Sequence, residues 1–327
     1  MNPADPLGLP WLEDDLARLE VTLHRSVAAE DPFLTEVATH LIAGGGKRLR
    51  PVLTLASAAA GSGAASEEVL LGGVAVELVH LASLYHDDVM DEATDRRNVQ
   101  SVNARWGNLV AVVAGDFVLA RAAGIAASLG TEVAGLLAAT LARMCEGQVR
   151  EVETTFDVAR SEASYLAAIA GKTAALTSTA CRVGALTAGL DRRQVEAVTA
   201  FGERLGMVFQ IRDDILDVVA SDDELGKPPG QDLMKGVYTL PVLRALADPD
   251  GGPELASLLG GPIDGPELER ARSIVAGGGA IAAAAGEARR WAERAAETAA
   301  ALGPGMAGEA LRSLAYGLLD AVPVPSA

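Results

Sequence analysis

Three aspartates, Asp87, Asp88 and Asp91, close an apolar run that starts near Glu77 (ELVHLASLYHDDVMDEATDRR), and two arginines, Arg96 and Arg97, follow them. Residues i and i+4 share one face of a helix, so Asp87 and Asp91 project together, with Asp88 about a hundred degrees round the axis. Like charges so placed cost a helix roughly 0.2–0.5 kcal/mol when exposed and more when desolvated. The pair therefore faces plain solvent or holds a cation. The chain repeats the pattern at 210–217 (QIRDDILD), where Asp213, Asp214 and Asp217 stand at the same spacing inside a second apolar run. One such cluster reads equally well as a solvated helix face. Two, both set among residues that should be buried, read as oxygen ligands for hard divalent cations, above all Mg2+, which binds through a few carboxylates, waters and substrate phosphates.

Cations gather elsewhere. Gly44-Gly45-Gly46 is followed by Lys47-Arg48-Leu49-Arg50-Pro51, a basic cluster between a glycine turn and a helix start. The mononucleotide phosphate loop needs a glycine where Leu41 stands and Ser or Thr where Arg48 stands, so that reading fails. Backbone amides and three cations near a helix N-terminus still make an anion site, against the plainer reading of a solvated basic loop. Lys172 and Thr173 follow Gly171 in an otherwise small and apolar run, and Lys227 and Lys235 lie in a polar loop at 221–236 long enough to suggest a function.

The elements that must position these groups read as helices from end to end. Apolar residues recur at helical spacing after Trp11, and Asp31-Pro32 offers an N-cap with proline at the first helical position. Ser66 can open the helix that carries the first aspartates, and Asp191 with Gln194 forms a capping box for the helix that carries the second. Stretches 107–127, 132–156 and 164–190 are three further helices, with Gly147 a candidate kink. No set of period-two strands bounded by turns is present. The fold class is all-α: one helical bundle over 1–327, without a domain boundary, with 1–10 and 322–327 flexible.

Composition sets bounds. Half of the residues are hydrophobic and 22% are charged, which excludes a disordered chain. With 27 Lys and Arg against 44 Asp and Glu the formal charge is −17, which gives no support to nucleic-acid or anionic-membrane binding. The two cysteines, Cys145 and Cys181, have no metal spacing and read as buried small hydrophobes in a reducing compartment. The acidic N-terminus lacks the basic region of a signal peptide, and the longest apolar runs are interrupted by Glu, His, Asp or Arg. No transmembrane segment is expected, and a soluble, cytoplasmic protein is.

Two carboxylate clusters with scattered cations suit a diphosphate better than a carboxylate, because metals and arginines together clamp phosphoryl oxygens. The apolar helices that present the aspartates suggest hydrocarbon for the rest of the substrate. There is no defensible Ser-His-Asp set, no HExxH and no dinucleotide fingerprint. The residues thus point to a Mg2+-dependent enzyme acting on a hydrophobic diphosphate.

The chain resembles the trans-isoprenyl diphosphate synthases of the polyprenyl synthetase family over roughly residues 35–245, on seven segments in family order: GGGKRLRP, HLASLYHDDVMDEATDRR, GDF, GKT, FQIRDDILD, GKPPGQDL and TLP. The resemblance implies an isoprenoid-synthase bundle around a central cavity and condensation of isopentenyl diphosphate with an allylic prenyl diphosphate. It implies three Mg2+ per active site on Asp87, Asp88, Asp91, Asp213, Asp214 and Asp217. Isopentenyl diphosphate is assigned to Gly46, Lys47, Arg50, His80 and Arg97. The allylic diphosphate is assigned to Arg96, Lys172, Thr173, Gln210, Lys227 and Lys235, with Gln210 and Thr173 close to the reacting carbons. His86 is expected to support the first aspartates. Ala82, Ser83 and Ala123 set product length, and their small size implies a product above geranylgeranyl. A short-chain synthase and, more remotely, a terpene cyclase are the alternatives. A homodimer is implied too. Two positions depart from the pattern: Asn98 stands where many relatives have glycine, and Val237 where many have lysine, with Lys235 two residues earlier.

Overall fold

The computed structural model describes residues 7–61, 63–97, 99–220, 229–303 and 305–320. Lys227 and Asn98, the loop residues 221–228 and the two termini expected to be flexible, 1–6 and 321–327, lie outside the described residues. Residues 7–10 do not follow the expectation of a flexible lead-in, because Leu7 and Leu9 are buried.

The all-α bundle expected from the sequence is what forms. In chain order the helices are α1 (Leu12–Ser26), α2 (Pro32–Ala43), α3 (Leu49–Ala58), α4 (Glu67–Met90), α5 (Val102–Trp106), α6 (Asn108–Ser128), α7 (Thr131–Glu153), α8 (Glu162–Ile169), α9 (Ala175–Thr187) and α10 (Arg192–Val219). They continue with α11 (Gln231–Met234), α12 (Leu240–Leu246), α13 (Gly252–Leu258), α14 (Gly265–Gly277), α15 (Ala280–Ala299) and α16 (Met306–Gly317). The caps at Asp31, Ser66 and Asp191–Gln194 are those expected, and Ser161 adds another. Asp31 accepts from the Phe33 and Leu34 amides, Ser66 from Val69, Ser161 from Ser164, and Asp191 and Gln194 bond reciprocally.

Two features depart from the sequence reading. A short antiparallel ribbon joins β1 (Asp95–Arg96) to β2 (Val99–Gln100), in register Asp95 with Gln100 and Arg96 with Val99. Between α8 and α9 the helix widens into one π turn (Ala170–Ala174) that contains Lys172 and Thr173. Gly147, expected as a kink, lies inside an unbroken α7. Its role is close approach: a Cβ there would stand 2.4 Å from the Lys172 backbone nitrogen, and one on Gly171 would stand 2.7 Å from the Arg143 carbonyl.

The chain divides into two compact units, interleaved in sequence. The first comprises residues 1–141, 176–202 and 298–313. In it α4 packs against α1, α3 and α6, around Leu19, Leu23, Leu53, Val74, Leu78 and Val118, all fully buried. The second comprises residues 142–175, 203–297 and 314–327. Its core is built from Tyr165, Ile169, Met207, Ile211, Ile215, Tyr238 and Leu240 with the alanines of α15.

By length and composition alone α4 and α6 could each cross a membrane, though Glu77, His80 and the aspartates interrupt α4, and Asp116 and Arg121 interrupt α6. Most of α4 is buried inside the fold, whereas only a third of the α6 stretch is. Cys181 is buried, and burial pushes its thiol up to about 12. Cys145, expected to be buried, is exposed on α7.

Candidate active site

In the first unit, the last turn of α4 delivers Asp87, half-buried, and Asp88, fully buried, while Asp91 caps the helix and is exposed. The ribbon then turns the chain back. Arg96 donates from Nε to Asp88 Oδ1 at 2.8 Å, and its Nη2 lies 2.6 Å from the same oxygen. Asp88 is thus an ion-pair partner within the protein, and the chain couples an allylic-site candidate directly to a metal-site candidate. Residue 97, next along, has φ of +55° and sends its guanidinium elsewhere. Arg97 donates to the Gly45 carbonyl at 2.6 Å and lies 3.4 Å from His80 Nε2. Gly46 has φ of +148°, a conformation that favours glycine, and lies close against the Arg97 guanidinium.

His80 is half-buried, and its pKa is held well below the ordinary imidazole value, first by burial and then by Arg50, Arg97, Arg96 and Arg48 around it. A neutral imidazole among guanidinium groups, with Gly46 and exposed Lys47 beside them in sequence, is a cationic cluster suited to an anion. Arg48 is withdrawn from it. It pairs with Glu20 through two bonds of 2.8 and 2.7 Å and with buried Glu77 at 3.2 Å, and also donates to the carbonyls of Ile42 and Gly45. Of the three cations in the basic cluster, Lys47 and Arg50 remain as candidates for an anion, and Arg48 holds the glycine turn. Burial raises the Glu77 pKa, opposed by Arg48, Arg50 and Arg97.

In the second unit the π turn and α10 come together. Thr173 Oγ1 donates to Gln210 Oε1 at 2.7 Å, Gln210 Nε2 donates to Asp214 Oδ1 at 2.8 Å, and the Tyr165 hydroxyl donates to Asp214 Oδ2 at 2.5 Å. Burial pushes the Asp214 carboxyl up to about 7, against the two hydrogen bonds it accepts. Lys172 pairs with Glu151 of α7 at 2.5 Å. Asp213 is half-buried beside Arg212, while buried Asp217 accepts from the Asp232 amide at the start of α11. Lys235 is exposed at the end of α11, and Val237 is half-buried.

Product-length candidates divide as well. Ala82 is wholly buried on α4, and the Ser83 hydroxyl is turned back onto the His80 carbonyl at 2.8 Å. Ala123 is exposed on α6. His86 packs on Gly115 of the GDF segment, and its Nε2 lies 3.3 Å from the Val112 carbonyl.

Among the described residues no three His, Cys, Asp or Glu side chains are gathered as a ready metal site. The donor types still fit Mg2+: Asp87 and Asp91 one helical turn apart, and Asp213 and Asp217 likewise, are hard oxygen ligands that a substrate phosphate would complete. Asp88 is paired with Arg96, and Asp214 accepts from Tyr165 and Gln210. The sequence reading missed Tyr165, Glu151, Glu20 and Glu77. A lone glutamate in the apolar run of α4 was a signal for Glu77. Nothing marked the others, which depend on helices distant in sequence.

The polyprenyl synthetase family profile matches residues 31–273, more than half of the chain. The chain belongs to the polyprenyl synthetase family. It is an enzyme, a prenyltransferase. A nonaprenyl diphosphate synthase of Mycobacterium tuberculosis is 42% identical over 252 residues, 76% of this chain and 75% of that protein. The crystal structure of a polyprenyl synthase from Caulobacter crescentus, complexed with calcium and isoprenyl diphosphate, superposes with a TM-score of 0.90 at 33% identity and covers 96% of this chain and 97% of its own. That of a geranylgeranyl pyrophosphate synthase from Corynebacterium glutamicum, in a complex of the same kind, gives a TM-score of 0.85 at 36% identity, covering 97% and 99%. Polyprenyl synthetases similar to this chain thus include makers of both longer and shorter products.

Proposed function

We propose that this prenyltransferase joins isopentenyl diphosphate head to tail to an allylic prenyl diphosphate, releases diphosphate and forms a trans polyprenyl diphosphate longer than geranylgeranyl. The observation that carries the reading is the cationic cluster around neutral His80, where Arg50 and Arg97 act on it beside Gly46 and Lys47 on the same unit as Asp87 and Asp91. Lys47, Arg50 and Arg97 hold the diphosphate of isopentenyl diphosphate, and uncharged His80 adds a hydrogen bond without adding to the repulsion among the guanidinium groups.

Asp87, Asp91, Asp213 and Asp217 would hold Mg2+, which when bound neutralises charge on the allylic diphosphate. Arg96, Lys172, Lys227 and Lys235 add positive charge for the same group. The allylic C–O bond breaks, the allylic carbon bonds to the terminal methylene of isopentenyl diphosphate, and the proton then lost passes to the released diphosphate. No side-chain base is needed. The hydroxyl of Thr173 and the amide of Gln210 supply oxygen lone pairs to the transient cation.

Ala82 and Ser83 support the long product. Neither side chain carries bulk that would stop a growing hydrocarbon, and each added isoprene unit gains about 25 cal/mol per Å2 of apolar surface buried. The working form is a homodimer.

The test incubates purified protein with isopentenyl diphosphate, Mg2+ and geranyl, farnesyl or geranylgeranyl diphosphate, and reads the products by mass spectrometry. A ladder that runs past geranylgeranyl, is lost in Asp87→Ala and ends earlier in Ser83→Phe is the expected result. An end point at farnesyl or geranylgeranyl in the unaltered protein would overturn the long product and keep the reaction. A cyclic hydrocarbon formed without isopentenyl diphosphate would overturn the reaction.

A further inference from the structure

We propose that Tyr165 is a positioning residue that orients the Gln210 amide and the Thr173 hydroxyl so that both present lone pairs to the allylic cation. Donors and acceptors along the chain Tyr165, Asp214, Gln210, Thr173 fix one another's directions. Tyr165 and Asp214 are 1% and 3% exposed, so water does not substitute for their bonds. The Tyr165 hydroxyl donates to Asp214 Oδ2 at 2.5 Å, and the carboxylate's other oxygen, Oδ1, offers only lone pairs. Gln210 must therefore turn its NH2 toward Asp214, at 2.8 Å, and its carbonyl oxygen toward Thr173. That oxygen accepts only, so Thr173 must donate to it, at 2.7 Å. A hydroxyl has one proton. With that proton directed to Gln210, any further group that approaches Thr173 Oγ1 meets lone pairs.

Tyr165 is itself fixed from several sides. Ser161 caps the helix that carries it, and the Arg160 guanidinium lies 5.6 Å from its ring centre while donating to the Tyr238 carbonyl at 3.1 Å. Removing the phenol proton leaves Asp214 Oδ2 without its donor. The carboxylate is then free to turn, the amide loses the acceptor that dictates its orientation, and a flipped amide lets the Thr173 proton point at the electron-poor carbon. The ionisation step slows, and the lysines and arginines proposed above to hold the two diphosphates are not members of this hydrogen-bonded chain.

The inference rests on the condensation proposed above, and its test is a double-mutant cycle of Tyr165→Phe and Thr173→Val, with kcat and both KM values measured on the full chain and thermal unfolding as a check of folding. Tyr165→Phe is expected to lower kcat by about tenfold or more, with both KM values within about twofold, and to cost no more than about twofold in the Thr173→Val background. Equal losses in both backgrounds, or a raised KM at unchanged kcat, would overturn the inference while leaving an active enzyme. An unaltered protein that makes no product overturns this inference together with the proposed function. If Tyr165→Phe does not fold, 3-fluorotyrosine at 165 replaces it, since it keeps the shape and changes the hydroxyl's donor strength. A change in kcat seen with Thr173 in place but absent in the Thr173→Val background is then expected, and the same change in both overturns the inference.

Discussion

Protonating His80 would place one more positive charge among Arg48, Arg50, Arg96 and Arg97, and burial adds to the cost. The folded protein keeps this imidazole neutral at a pH where the unfolded chain already binds a proton. Between the ordinary pKa near 6.5 and the depressed folded value, the unfolded state holds more protons, so stability falls as pH falls through that window. Above about 6.5 neither state protonates His80 and the contribution is constant. His80→Gln, which cannot titrate, should flatten the loss of urea stability between pH 6.5 and 5 relative to the unaltered protein. An unchanged slope would show that His80 titrates normally. Arg96 and Arg48 obey the same rule of pairing. Each lies against a buried carboxylate, Asp88 or Glu77, whose charge it helps to offset.

Between Gly147 and Gly171 two helical segments touch backbone to backbone, and that contact seats the π turn bearing Lys172 and Thr173. A methyl group on Gly147 would stand 2.4 Å from a backbone nitrogen, so the π turn must move as a unit. Gly147→Ala should cost about 1–3 kcal/mol of stability by overpacking. It should also lower kcat by about tenfold or more, since catalytic geometry tolerates little displacement. Denaturant unfolding and steady-state kinetics read the two effects, and wild-type values for both would mean that the contact has slack. Elements with local signals were legible in the sequence: the Asp31, Ser66 and Asp191–Gln194 caps and the two aspartate helices follow from spacing alone. The π turn was not, because it depends on two glycines meeting across helices distant in sequence. Gly147 read as a kink for the same reason. Arg48 read as a free cation because its partners, Glu20 and Glu77, lie on other helices. Cys145 read as buried because an apolar helix does not state which face is covered.

On α6 that uncertainty of facing is largest. The helix has the composition of a buried element, yet Leu109 is 80% exposed and Val113 52% exposed, and Ala120, Ala123, Gly124 and Ala127 continue the exposed face at helical spacing. A largely apolar face of this length, broken by exposed Asp116, calls for a partner surface. Lipid and a second copy of the chain are the two occupants to weigh. Asp116 and Arg121 lie exposed on the helix, which a bilayer interior would penalise, and a formal charge of −17 repels anionic headgroups. Small residues, in contrast, let two helices approach closely, so we expect α6 to meet its copy across a two-fold axis. Sedimentation at micromolar concentration should give twice the 33.5 kDa chain mass for the unaltered protein and the single mass for Val113→Asp. Parent stability should rise with protein concentration while that of the variant does not. A monomeric parent that floats with neutral lipid vesicles would assign the stripe to a membrane surface instead. Ala123 lies on this stripe, so if the copies meet there, its influence on product length passes through the interface, and Ala123→Phe should shift product length only in the dimer.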